Sequence, residues 1–482
     1  MNYLIFPTQL YYDTKHISKE YSIYLIEEPR YFTDFNFHRL KLAYHRATMK
    51  KYYDYLKGKK YKIHYIEYKD VDDSFYKKLS KAICVHPADK LLEKKLKKLL
   101  DLTQLDNINF LVKLDELEII KKDIFSGKKY SNAEFYKYQR KKFNILMNGD
   151  KPVGDRWSFD KENRLPLPKN HKVIETVNKN INNKYTKEAI RYVEKNFDGK
   201  HKYGGINMIY PLDNKTSKKW LNKFLEERLI NFGKYEDAIS KDSEFVYHSV
   251  LTPMLNVGII TDTEVLEITN NYYLKHKNKI PIESMEAFVR QLIGWRNYVY
   301  VLYELEGENM RKSNLLKHTN KINEKFWLGN TNIEPVDNAI KKIIKYSYVH
   351  HIERLMILGN IMLLLMIDPD DVYRIFMEWT IDAYDWVMVP NVYGMSQSAT
   401  NIMMTRLYFS SSNYILKMSD YKKGEWCEIW NTLYYNFINK HIHLIEKNYA
   451  TATMAKHWKD KTSKEKEEIL YNAKKYIKNI LN

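Results

Sequence analysis

An α/β domain followed by a mostly α-helical one is the fold class that this 482-residue sequence predicts. Three observations carry the expectation. The first third alternates strand-like with helix-like runs, as a parallel sheet with crossover helices requires. A proline- and glycine-bearing stretch of little periodicity comes next, and beyond it the apolar pattern is helical almost throughout. The length suits two or three cores, since a single core rarely grows beyond roughly 250 to 300 residues.

Taken in order, Tyr3 to Phe6 is an apolar run ended by Pro7, and Ile23 to Ile26 is a second strand-like run. A helical pattern spans Phe37 to Leu56, and Lys62 to Tyr68 reads as another strand. The α/β domain is placed at residues 1–145. Pro152, Gly154, Pro166 and Pro168 mark a linker at 146–205, and the helical domain occupies 206–482. Within it, Asp368 and Pro369 start a helix, because an acidic N-cap and a first-turn proline suit the free amides and the dipole there. The last helix, after Thr462 and Ser463, sets Ile469, Ala473, Tyr476, Ile477 and Ile480 on one face, which packs on the preceding helices. The apolar run between Arg354 and Asp368 is shorter than the about 20 residues a bilayer span needs and reads as a buried helix.

With 44% hydrophobic and 14% aromatic residues the chain is globular rather than disordered. Its formal charge of +19 favours a polyanionic partner, nucleic acid first, although a solubilising lysine coat explains the charge equally well. Two cysteines, Cys84 and Cys427, cannot frame a disulfide scaffold and show no metal-ligand spacing. The opening residues lack a basic stretch followed by a long apolar one, so they do not read as a signal peptide. A soluble cytoplasmic or nuclear monomer is the expectation.

The chemistry concentrates between Tyr346 and Gln397. His350 and His351 open a helix, and Arg354 follows one turn later. A buried arginine needs a carboxylate, and Asp382, placed in a second helix with Tyr384, Asp385 and Trp386, is the natural partner. On spacing alone, an ordinary buried ion pair beside capping histidines is the preferred reading.

The segments HHIERLMILGN and DAYDWVMVPNVYGMSQ resemble the flavin-cradling helices of the photolyase and cryptochrome superfamily, in its bacterial iron-sulfur cryptochrome and (6-4) photolyase branch. GDRWSFDKENR, FGKYEDAIS, HSVLTPMLNVGIIT, FVRQLIGWRNY and SSSNYILKMSDY resemble further blocks of that branch, in the same order and over nearly the full length. The resemblance implies a Rossmann-like antenna domain, a helical FAD-binding domain, and light-driven repair of UV-damaged DNA. An electron passes from reduced FAD to a flipped photoproduct, of the (6-4) kind, since that adduct needs a proton donor and a histidine pair offers one.

By the same resemblance, Tyr235, His248, Ser249, Leu251 and Thr252 fall where the FAD phosphates and ribityl chain are held, with Arg296, Met388 and Asn391 also at cofactor positions. Arg354 and Asp382 match the ion pair beside the isoalloxazine, and His350 and His351 the catalytic pair. Trp295, Asn297 and Tyr414 fall at substrate positions. FPTQL and FNFHRLKLAYHRA resemble antenna-binding segments, which makes Gln9, His38 and Lys41 candidate contacts for a ribityl-lumazine.

The departures are specific. Where the branch has its four cluster cysteines, this chain has Pro335, Lys422, Glu425 and Cys427, so no iron-sulfur cluster is expected. Asn297 replaces a glutamate, and Ile375 stands where relatives carry a photoreduction tryptophan, leaving Trp327, Tyr384 and Trp386 as relay candidates. A cryptochrome-like light sensor, a cyclobutane-dimer photolyase and a non-catalytic nucleic-acid-binding module are the alternatives.

Overall fold

The computed structural model describes residues 1–126, 130–171, 180–197, 204–403 and 407–481. Five parallel strands, β1 (Asn2–Ile5), β2 (Ser22–Ile26), β3 (Lys62–Ile66), β4 (Lys81–Val85) and β5 (Asp101–Leu105), form a sheet in the order β3-β2-β1-β4-β5. The order reverses between β1 and β4, so this is a doubly wound sheet, whose crossovers include α1 (Arg39–Gly58), α2 (Asp73–Leu79) and α3 (Lys90–Leu99). The strands β1 to β3 fall where the sequence places them; β4 and β5 had not been anticipated. Lys81–Val85 and Asp101–Leu105 are short and carry too few β-branched residues to stand out from their lysine-rich surroundings.

Part of the linker, residues 172–179 and 198–203, lies outside the described residues. Its described parts hold a two-stranded ribbon, Met147–Asn148 with Lys151–Pro152, and a helix, Lys184–Phe197, that packs on α1. The remainder is helical. Asp368 caps the helix Pro369–Trp379 by accepting from Asp370 N at 2.9 Å, as its acidic N-cap and first-turn proline predict. Ser463–Leu481 packs on Glu425–Lys440 and buries Ala473 and Ile480. The apolar run after Arg354 is buried within the helical domain, and no described helix is long and apolar enough to cross a membrane.

The helical domain seats on the carboxyl ends of the strands and on α1. Leu10 N donates to Val257 O at 3.0 Å, and His38 N to Glu378 O at 2.8 Å. The buried Asp385 carboxylate accepts from the hydroxyls of Tyr303 (2.5 Å) and Tyr373 and lies beside Arg30 and Arg311. Burial resists ionisation of Asp385, but the two guanidiniums outweigh it and hold its pKa below the usual carboxylate range.

Candidate functional site

A cavity of about 480 Å³, within the range of small-molecule sites, opens in the helical domain. Three of its walls are stretches of π-helical pairing, Arg290–Arg296, Glu353–Gly359 and Pro390–Ser396. Such i→i+5 turns are uncommon, and widening a helix by one residue re-aims its side chains. Two of these walls meet closely at Gly359, where an added Cβ would run into Ser396 Oγ. The fourth wall is a loop in which Val246 and Val250 hold φ of +48° and +53°. Branched residues avoid that region, so the loop that presents His248 and Ser249 to the cavity is strained. Buried donors fix it from behind: Arg228 Nη1 to His248 O and Trp220 Nε1 to Ser249 O, each 2.7 Å.

At the cavity wall Arg354 donates to both Asp382 oxygens, Nη1 to Oδ1 at 2.9 Å and Nη2 to Oδ2 at 3.1 Å. Thr252 Oγ1 adds a bond to Oδ2 at 2.5 Å, and Arg354 Nε anchors on Val349 O at 2.7 Å. Burial disfavours the guanidinium charge, yet the attraction of Asp382 leaves its pKa above the ordinary value. The sequence places Asp382 and Tyr384 inside a helix; they lie instead in the turn between Trp379 and the helix Asp385–Val389. The turn frees backbone groups that a helix would consume. Asp382 O accepts from Asn256 Nδ2 at 2.7 Å and Ala383 O from Lys41 Nζ at 2.6 Å.

Of the residues singled out by resemblance, His248, Ser249, Leu251, Thr252, Trp295, Arg296, His351, Arg354, Asp382, Trp386, Met388 and Asn391 border this one cavity. Tyr235 stacks on Tyr247 outside it. Tyr414 lies near Arg164 and Asp237, both at the cavity edge. Asn297 is fully buried behind the wall, where it donates to Asp262 Oδ2 and Leu292 O, both at 2.9 Å, and accepts from Leu111 N at 2.8 Å. Its side chain is saturated by the protein, which corrects its reading as a substrate contact.

The two adjacent histidines separate, as successive helical residues must. His351 is half exposed, borders the cavity and sets Nε2 3.6 Å from Asp237 Oδ1. His350 is fully buried, stacks on His248 at 4.5 Å and contacts Glu353 at 3.2 Å. Burial first, and then its histidine and cationic neighbours, pushes its pKa well below the ordinary value. A neutral, enclosed His350 has no route to a substrate, so its catalytic reading becomes a packing role beneath His248 and His351.

The antenna candidates do not converge. Gln9 accepts from Phe6 N (3.3 Å) and donates to Val85 O (2.7 Å), tying β1 to β4. His38 caps α1 by accepting from Leu40 N, and its Nε2 lies 3.1 Å from Ile344 O. Lys41 is buried and donates to Met377 O and Ala383 O, 3.0 and 2.6 Å. All three fasten the α/β domain internally or to the helical one, which corrects their reading as a shared ligand site. The relay candidates also part: Trp386 borders the cavity, Tyr384 faces α1, and Trp327 packs on Trp379 at 5.0 Å beside a separate cavity of about 320 Å³.

Sequence reasoning missed Asn256, which accepts from Arg296 Nη1 at 2.5 Å while holding the Asp382 carbonyl. It also missed Asp237 and the buried Glu236, which accepts from Asn163 Nδ2 (2.9 Å) and Arg290 Nη2 (3.1 Å). Burial raises the Glu236 pKa, with Arg290 opposing. Both acids sit in FGKYEDAIS, where only Tyr235 had been taken as functional. Two buried donors on the cavity, His248 Nε2 and Arg296 Nη2, have no hydrogen-bond partner in the protein. A buried unmet donor is costly, so these atoms mark places for a polar ligand.

A five-stranded parallel sheet carrying a helical, cavity-bearing domain is a photolyase-like fold. It matches the crystal structure of a bacterial class III photolyase from Agrobacterium tumefaciens with a TM-score of 0.59 at 14% identity, over 99% of this chain and 97% of the other. It matches an archaeal photolyase from Sulfolobus tokodaii, solved with two FAD molecules, with a TM-score of 0.50 at 13% identity over the full length of both. Residues 3–208 match the deoxyribodipyrimidine photo-lyase-related protein family. A (6-4) photolyase of Agrobacterium fabrum is 34% identical over 351 residues, 69% of this chain and 67% of the relative. The chain belongs to the deoxyribodipyrimidine photolyase-related family.

Proposed function

We propose that this protein is a light-driven DNA photolyase that holds FAD in the 480 Å³ cavity and repairs UV photoproducts, the (6-4) photoproduct first. The observation that carries the reading is the cavity wall itself: a bidentate Arg354–Asp382 pair flanked by two buried donors, His248 Nε2 and Arg296 Nη2, that lack protein partners. The donor set fits a flavin nucleotide, which offers phosphate and ring acceptors to such groups. A reduced flavin supplies, when lit, the electron that breaks the lesion's bond.

The chain's own residues do the rest. Arg354 and Asp382, braced by Thr252, give the ring an edge of fixed charge that cannot reorganise. Tyr348, Leu355, Met388 and Val392 line the same cavity and keep water from it. His351, at the mouth, is the group able to give and recover a proton, and Asp237 at 3.6 Å steadies its imidazolium. The net charge of +19 supports binding of the damaged duplex through its phosphates.

Family membership and the relative named a (6-4) photolyase support the lesion class. FAD is the single chromophore in this reading, because Gln9, His38 and Lys41 are engaged by the protein and leave no polar edge for a ribityl-lumazine. No iron-sulfur cluster is part of it. Pro335 lies in the first turn of Glu334–Tyr346, Lys422 is exposed, Glu425 opens Glu425–Lys440, and only Cys427 offers a thiol.

The test is the His351→Ala variant. It should keep FAD and damaged DNA bound yet repair (6-4) photoproducts roughly 100- to 10,000-fold more slowly under blue light, the usual worth of a positioned proton donor. A wild-type protein that binds FAD and repairs neither lesion class would make the chain a light sensor. Equal cyclobutane-dimer repair by wild type and variant would leave the enzyme class standing and overturn both lesion and donor.

A further inference from the structure

Asp382 and Trp386 border the cavity, and Tyr384 between them reaches into the interface with α1. Tyr384 and Trp386 together line a small void directly behind the cavity wall, and Asn256 borders both spaces. The Tyr384 hydroxyl lies 2.7 Å from His45 Nε2. The other ring nitrogen, Nδ1, is 3.3 Å from Tyr31 O. A carbonyl only accepts, so Nδ1 carries the proton and Nε2 holds the lone pair that receives the phenol. Both side chains are buried, and the Lys41 ammonium sits 5.0 Å from the tyrosine ring centroid. Burial, reinforced by Lys41, holds the His45 pKa at about 3, so at rest the pair is a neutral phenol on a neutral imidazole.

We propose that Tyr384 and His45 are a proton-coupled redox pair, in which Tyr384 gives one electron, through the Trp386 ring, to photoexcited oxidised flavin in the cavity and His45 takes the phenolic proton. The inference rests on the reading of the cavity as a flavin site. One electron leaves the Tyr384 ring, the Oη–H bond breaks, and the proton moves to His45 Nε2. A neutral tyrosyl radical, an imidazolium and a flavin richer by one electron result.

The geometry favours the coupled step over simple electron loss. A phenol that has lost an electron is a strong acid, and a second positive charge on the ring, buried and facing Lys41, carries the penalty of an uncompensated interior charge. Transfer along an existing hydrogen bond removes that charge from the ring without moving a heavy atom. The surroundings that keep His45 neutral at rest then drive the proton back when the electron returns, so the pair resets. The arrangement also supplies a donor where Ile375 cannot be one.

The experiment uses the full-length protein with its bound flavin, excited by a blue flash and followed by transient absorption and electron paramagnetic resonance. Wild type should give a neutral tyrosyl signal with a solvent deuterium isotope effect on its formation. Tyr384→Phe should abolish the signal while flavin stays bound. His45→Gln, which accepts the hydrogen bond but is not basic, should keep flavin bound and slow radical formation by about 100-fold, the low end of a positioned base's contribution. An undiminished tyrosyl signal in either variant, or none in flavin-replete wild type, overturns the pair. A protein that binds no flavin overturns the cavity assignment as well, which absorbance before the flash reveals.

Discussion

The cavity wall and the polar face of the α/β domain resembled known sites equally well in sequence, and they differ in where their hydrogen bonds end. Around the cavity, His248 Nε2 and Arg296 Nη2 remain without protein partners. On the α/β side, Gln9 and Lys41 terminate on Val85, Met377 and Ala383 carbonyls, and Arg46 is taken up by Glu27, Glu67 and Glu188. A polar residue with its bonds satisfied internally is a fastener, and one with a buried bond left over is a binding group. The same residue types, read by resemblance, do not tell the two apart.

The largest effect that would break this comparison is expected from Asp382→Ala. Removing one partner of a buried pair costs about 3–5 kcal/mol and leaves Arg354 uncompensated at the cavity wall. Chemical denaturation should register the loss, and the purified variant should be colourless. If it retained a full complement of flavin, Asp382 would not belong to the site.

Acid should reveal the buried imidazoles next. His45, His248 and His350 have folded pKa values well under the ordinary 6.5, burial being the chief cause in each. Below about pH 6.5 the unfolded chain therefore binds protons that the native one refuses, and stability falls as pH drops, by up to about 1.4 kcal/mol per pH unit for each histidine. Urea midpoints between pH 7 and 5 should decline, and His45→Gln should make the decline shallower. An unchanged slope would mean that His45 is protonated in the fold.

The smallest effect concerns the fasteners. Gln9→Leu strands the buried Val85 carbonyl and should lose about 1–3 kcal/mol of stability while leaving every bound chromophore in place. Denaturing the wild-type protein should release FAD and nothing else that absorbs visible light. A lumazine in that extract would place an antenna somewhere other than these residues.

The sequence by itself determined the α/β-then-helical order, three of the five strands, the cap at Asp368 and the partnership of Arg354 with Asp382, because each depends on local pattern or on charge that burial forces to pair. It also carried the blocks that converge on one cavity. Only the tertiary structure decided that His351 faces the cavity while His350 packs against His248, because successive residues on a helix point about 100° apart and their surroundings come from distant elements. It likewise decided that Asn297 is saturated by Asp262, Leu292 and Leu111, and that Lys41 reaches Ala383, a residue 342 positions further along the chain. Which donors a fold satisfies is settled by partners that no local pattern names, and that choice separates the binding groups of this protein from its fasteners.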